Sequence, residues 1–236
     1  MKRTLIMGSL FALLLVGLNA AAQKKGKWVT LFDGKTMKGW RGYNMTGIPN
    51  AWTIEDGALK INARSATTNE RGDLLFDQKF KNFELQLMYK VDKGANSGIL
   101  YLAQELPGKR VYQSAPEFQV LDNENHPDAK AGKNGNRKSA SLYDMIPATP
   151  QVDKGFGQWN EARIIIKDGH VQHFLNGKKV VEYTLWNEDW KNMVLNSKFK
   201  DWADFMNAGG ESRSGFIALQ DHGNNVWFKN IKLREL

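Results

Sequence analysis

The chain of 236 residues contains no cysteine. That absence removes disulfides and thiolate metal sites, and it leaves no attachment point for lipid of the lipoprotein kind, so stability has to come from a packed core. Beyond the N-terminal region there is no apolar run of membrane-spanning length. A dense basic stripe is missing too: the net charge of +8 is scattered, with nothing denser than Lys24-Lys25 and Lys178-Lys179. Nucleic-acid binding needs such a stripe or a known module, so the chain is not expected to bind nucleic acid. No glycine pattern for a nucleotide is present. Ser97, in the turn GANSG at 94–98, lacks the Gly-x-Ser-x-Gly context of an activated serine, so this turn reads as a polar rim presenting Asn96.

What is present begins with a leader. Lys2 and Arg3 precede an apolar run from Leu5 to Leu18 and then Ala20-Ala21-Ala22. This is the pattern of a secretory signal peptide over residues 1–22, cleaved after Ala22 to give an exported, soluble protein, periplasmic or extracellular. Residues 23–236 are expected to form one domain with a charge of about +6, and eight Trp and twelve Phe can fill a large core.

Strand signals separated by short turns recur along that domain. Asp56-Gly57, Asp168-Gly169 and Asn176-Gly177 each lie between apolar-alternating runs, the signature of tight hairpins. Residues 159–183 therefore read as a three-stranded antiparallel meander. Further strands are expected at 29–32, 73–76, 83–89, 98–102, 117–121, 216–219 and 226–233, which together make an all-β, two-sheet antiparallel sandwich. One helix is expected, near 197–206 (SKFKDWADFM), where Phe199, Trp202, Phe205 and Met206 fall at three-to-four spacing. The stretch 123–158 is rich in Gly, Asn, Lys and Pro and reads as a long, functional loop.

The segment PEFQVLDNENHPDA at 116–129 carries the chemistry. Alternation puts Glu117, Gln119 and Leu121 on one face of a strand and Phe118, Val120 and Asp122 on the other, before a polar loop holding Asn123 and His126. In GFIALQDHG at 215–223 it puts Phe216, Ala218, Gln220 and His222 together. If the two strands are neighbours, Glu117, Gln119, Gln220 and His222 line one surface. Amides read sugar hydroxyls as donors and acceptors, while a carboxylate and an imidazole move protons. A divalent metal ion is the competing use of Glu117, Asp122, His126 and His222, although their spacing is no recognised metal motif. His170 reads as solvated and His173 as a satisfied histidine at the core edge. Trp40, Tyr43, Trp52, Tyr101 and Tyr143 read first as core aromatics and second as platforms for a sugar ring.

Taken together, LFDGKTMKGW (31–40), NSGILYL (96–102), EFQVLDNENHPDA (117–129), SASLYDMI (139–146), the meander at 159–183 and GFIALQDHGNNVWFKNIKL (215–233) resemble the 3-keto-disaccharide hydrolase family. The chain departs from that pattern with Ser139 and Ser141. The resemblance implies a concanavalin A-like jelly roll and hydrolysis of glycosides oxidised to a ketone at C3. The ketone acidifies the C2 proton, so a base removes it, the aglycone leaves from C1 and water then adds. Glu117 or His222 is the candidate base, with Gln119, Gln220 and a bound cation as stabilisers of the oxyanion. His126 is the candidate acid, and Asn96, Tyr101, Asp122 and Tyr143 join Gln119 and Gln220 as candidate substrate-binding residues. A separate sugar 3-oxidoreductase has to supply the ketone. The alternatives are a non-catalytic carbohydrate-binding module on the same sandwich and a structural surface protein.

Overall fold

The three Asx-Gly pairs fold as tight hairpin turns: Asp56, Asp168 and Asn176 take φ near +50°, each followed by a glycine at positive φ. Around them the computed structural model, which describes residues 26–63 and 66–236, is an all-β, two-sheet antiparallel sandwich. The expected leader, residues 1–22, lies outside the described residues. In chain order the elements are β1 (Val29–Thr30), β2 (Trp40–Gly42), β3 (Trp52–Glu55), β4 (Ala58–Ile61), β5 (Leu74–Phe76), β6 (Phe83–Val91), β7 (Asn96–Ala103) and β8 (Glu117–Leu121). There follow β9 (Asn160–Lys167), β10 (His170–Leu175), β11 (Lys178–Thr184), α1 (Glu188–Leu195), α2 (Ala203–Met206), β12 (Phe216–Leu219) and β13 (Val226–Glu235).

One antiparallel sheet runs β11-β10-β9-β6-β13-β4-β3, with β1 also paired to β13. The expected meander is its β9–β11 edge. The second sheet runs β2-β5-β12-β7-β8. Strand β7 thus lies between β12 and β8, so the two segments that carry Gln220 and Glu117 are not direct neighbours. The register still aligns them: Leu100 faces both Glu117 and Ala218, and Gly98 faces Gln119 while its carbonyl accepts the Gln220 N–H at 3.0 Å.

Strand β8 is buried on both faces. Phe118 and Val120 enter the core between the sheets, where each apolar side chain contributes about 1.5–3 kcal/mol. That anchorage holds Glu117 and Gln119 buried on the opposite face against the cost of desolvating them. The free edge of β8 is closed by residues 140–143: Ala140 N–H donates to Gln119 O, Gln119 N–H to Ser141 O and Tyr143 N–H to Glu117 O. The stretch 123–158 is therefore packed and not an open loop. Ser139 Oγ lies 2.7 Å from the Tyr89 hydroxyl, and Ser141 Oγ accepts the Ala148 N–H.

The helical segment differs from expectation. The longer helix is α1, opened by Asn187, whose side chain accepts the Trp190 N–H, and by Glu188 and Asp189 in the first turn. Trp190 and Val194 bury its inner face. Only Ala203–Met206 of the expected 197–206 helix is helical, because the Ser197 hydroxyl takes the Phe199 N–H and turns the chain there instead.

Candidate functional site

The outer face of the five-stranded sheet carries a cavity of about 340 Å³ above β7 and β8. Its lining includes Asn96, Glu117, Gln119 and Gln220, all buried, with Lys198 and His222 exposed at the mouth. Tyr112, Tyr143, Phe199 and Trp202 form the walls. Gly98 makes the seat for Glu117: a Cβ at position 98 would stand 2.2 Å from Glu117 Oε1. The carboxyl group folds over the Gly98 backbone, so any side chain at 98 would displace it.

Among the described residues the Glu117 carboxyl has no hydrogen-bond partner, and Asn96 Oδ1 is likewise buried without one. Gln119 Oε1 accepts only the Val120 N–H. Buried polar groups in native proteins are nearly always paired, so a floor of unpaired ones facing a cavity is a floor shaped for a polar ligand. Burial pushes the Glu117 pKa up to about 8, with Lys198 opposing the shift, so the group is mostly protonated at neutral pH. At the rim, partial desolvation of the ring and the neighbouring His126 both push the His222 pKa below its ordinary value. His222 is therefore neutral at pH 7, and its Nε2 lies 3.5 Å from Asn96 Nδ2. Partial desolvation of its ammonium group in the cavity mouth lowers the Lys198 pKa, and its Nζ lies 4.0 Å from the Tyr143 ring centroid.

A second cavity of about 400 Å³ adjoins the first and shares Tyr112, Gln220 and His222 with it. Thr68, Arg71, Gly72, Asp73, Arg110 and Asp221 complete its lining. Arg71 and Asp221 are locked by paired contacts, Nη2 to Oδ1 at 2.7 Å and Nε to Oδ2 at 3.0 Å, and Asp221 also accepts the Gly72 and Gly223 N–H groups.

Residues 27–234 match the model of the 3-keto-alpha-glucoside-1,2-lyase-like domain. The chain belongs to that family. It is 51% identical over 227 residues to a 3-keto-disaccharide hydrolase of Bacteroides thetaiotaomicron, covering 89% of this chain and 78% of the relative. It is also similar to a candidate glycosyl hydrolase from Parabacteroides distasonis, solved by crystallography, at 30% identity and a TM-score of 0.76 over 89% of this chain and 94% of the other. A second crystal structure from the same organism, likewise of a candidate glycosyl hydrolase, gives 27% identity and a TM-score of 0.65, covering 89% and 100%.

In this member of the 3-keto-alpha-glucoside-1,2-lyase-like family, Glu117, Gln119, Gln220, His222, Asn96 and Tyr143 do come together around one cavity. Three other expected site residues do not line it. Tyr101 points the opposite way, into the core, where its hydroxyl lies 2.7 Å from both His173 Nε2 and the Tyr183 hydroxyl. Asp122 is consumed in folding its own turn, accepting from the Gly94, Glu124 and Asn125 N–H groups and from Asn125 Nδ2. His126 caps the 3-10 turn at Pro127–Lys130, its Nδ1 accepting the Asp128 N–H, and it touches the site only through ring contact with His222 at 5.9 Å. Among the described residues no three His, Asp or Glu side chains converge as a metal-binding group.

Lys198, Tyr112, Phe199 and Trp202 were not anticipated in the cavity, nor were Asp73, Arg71 and Arg110 beside it. Alternation could have found only Asp73, which precedes the strand Leu74–Phe76 on the face shared by Leu75±2. The others arrive from turns whose placement depends on tertiary packing. Tyr143 is held at the wall by donating its hydroxyl to Asp128 Oδ2 at 2.7 Å, and Arg137 ties Asp128 to Asp144.

Proposed function

We propose that this chain is an exported hydrolase of 3-keto-glycosides or 3-keto-disaccharides, working by elimination and then hydration. The 51% identity to a 3-keto-disaccharide hydrolase supports the reaction class. The observation that carries the mechanism is the floor of buried, unpartnered polar groups beneath a neutral imidazole. With the C3 ketone over that floor, protonated Glu117 and the Gln119 and Gln220 amides donate to the oxygen on which charge develops. His222 takes the C2 proton, the role its lowered pKa suits. The aglycone leaves from C1, and water adds across the resulting double bond. Tyr143, Phe199 and Trp202 supply the apolar walls against which a pyranose ring packs. Export rests on the leader pattern at residues 1–22, and no helix among the described residues is long and apolar enough to cross a membrane. A separate sugar 3-oxidoreductase supplies the ketone.

Incubating the purified protein with a 3-keto-glucoside in D₂O, with and without chelator, tests this reading. Expected are release of the aglycone and deuterium at C2, with His222→Ala losing both by about 10²–10⁴-fold. Sugar binding without release would identify a binding module instead. The chelator arm reads whether a divalent cation takes part.

A further inference from the structure

The mechanism above leaves the departing oxygen without a proton donor. His126 does not supply one, because it lines neither cavity and its Nδ1 is engaged by the Asp128 N–H. The second cavity contains a carboxyl group for which nothing so far has found a use.

Asp73 immediately precedes β5. Leu74 pairs with Leu219 and Leu75 with Ala218, so continuing the register by one residue sets Asp73 opposite Gln220. Gln220 in turn lies beside Gly98, and Gly98 pairs with Gln119. Asp73, Gln220, Gly98 and Gln119 thus form one row across the sheet on its cavity side, and the Glu117 carboxyl folds over Gly98 in that same row. Strands lie about 4.8 Å apart, so two strand intervals place Asp73 roughly 10 Å from the backbone under Glu117, with Gln220 between them. That span straddles the junction of the two cavities, which share Gln220, Tyr112 and His222. A glycoside with its oxidised ring over Glu117 would lay its leaving group in the second cavity.

The groups facing Asp73 are Arg71, Arg110, Asp221, His222 and Tyr112. Arg71 is committed to Asp221. Asp73 Oδ1 accepts the Asp221 N–H at 2.8 Å, while Oδ2 has no partner among the described residues and is free to carry a proton.

We propose that the cavity around Asp73 is the leaving-group subsite and that Asp73 is the acid that protonates the departing oxygen. This rests on the reading of the reaction given above. As His222 takes the proton from C2, the C1=C2 bond forms and the C1–O bond breaks. The electron pair goes to the leaving oxygen, which takes the proton from Asp73 Oδ2. In the second half a water oxygen bonds to C1, returning one proton to Asp73, and C2 recovers its proton from His222, so one water is consumed overall. Burial, followed by the nearby Asp221, raises the Asp73 pKa to about 6, which suits a group that both gives and regains a proton near neutrality.

The test compares two 3-keto-glucosides, one with a poorly acidic sugar alcohol as leaving group and one with 4-nitrophenol. Asp73→Asn keeps the acceptor for the Asp221 N–H and is expected to fold. It should slow the sugar-leaving substrate by about 10²–10³-fold and the nitrophenyl substrate by at most about tenfold, because a stable phenolate needs little protonation. Asp73→Ala, with added formate, should recover part of the lost rate on the sugar-leaving substrate. Equal losses on both substrates, or no loss on either, would overturn the assignment of Asp73 alone. If the wild-type protein releases neither leaving group, the proposed reaction falls and Asp73 falls with it.

Discussion

Two buried polar clusters lie on opposite faces of the same sheet, and they differ in one respect. In the core, Tyr101, Tyr183 and His173 are buried and hydrogen-bonded: the Tyr101 hydroxyl reaches both partners at 2.7 Å, and His173 Nδ1 lies 3.0 Å from Ala140 O. On the cavity side, Glu117 and Asn96 are also buried, and neither the Glu117 carboxyl nor Asn96 Oδ1 has a hydrogen-bond partner among the described residues. Both clusters bear the desolvation cost of polar burial, but only the core recovers it from its own hydrogen bonds. Burial alone therefore does not mark a functional site; here unspent bonding capacity that faces a cavity does, since Asn225 Oδ1 is also buried without a partner and lines neither cavity.

The difference can be broken by mutation. Between these two clusters the larger effect is expected for Glu117→Ala, about 10²-fold in kcat/KM or near 2.7 kcal/mol, measured on a 3-keto-glucoside without loss of thermal stability. Glu117→Gln, which keeps a donor, should stay within about tenfold of wild type. If Gln is as inactive as Ala, Glu117 is the base and the roles exchange. On the core side, His173→Leu takes one of the two partners of the Tyr101 hydroxyl and leaves the Ala140 carbonyl without the ring nitrogen, and should cost about 2–3 kcal/mol in urea unfolding while leaving turnover per folded molecule unchanged.

The pH dependence of stability separates the two clusters by sign. The folded pKa of His173 is lowered by burial to about 4, so its contribution is present above about 6.5 and lost as pH falls through 4. Glu117 behaves oppositely: its folded pKa is raised, so its contribution is present below about 4.5 and lost as pH rises through about 8. Each window should show a change in stability of a few kcal/mol in melts, larger for Glu117 than for His173. Glu117→Gln should remove the fall in stability between about pH 4.5 and 8, and His173→Leu the rise between about pH 4 and 6.5, so that where the windows overlap the two variants change the slope in opposite senses. Gly98→Ala should then lower turnover about tenfold by displacing the Glu117 carboxyl. Tyr183→Phe should cost about 1 kcal/mol of stability and leave the reaction rate unchanged.

The β-sheet framework was legible in the chain because its signals are local. Asx-Gly turns and two-residue alternation locate the meander, the β7 and β8 strands and the face that holds Glu117 and Gln119. Tyr101 is in the core, as its first reading as a core aromatic expected, and not in the site to which the resemblance assigned it; a strand buried on both faces hides which face is core and which is cavity. Asp122 and His126 sit in polar loops, and their side chains turn back on their own backbone, a competition that residue type alone does not resolve. Lys198, Tyr112 and Trp202 reach the cavity from turns, so no period in the chain points to them. Helix α1 did have a readable start in Asn187 and its acidic first turn.

Gly98 leads to a practical consequence for anyone redesigning this groove. Its φ is not among the positive ones, so a survey of backbone angles would pass it as replaceable by any strand-forming residue. The constraint at 98 comes from a neighbour's side chain, which means it disappears once that side chain is shortened. A larger residue at 98 becomes admissible only together with a smaller one at 117, and the two positions should be varied as a pair when a binding-only version of the groove is sought.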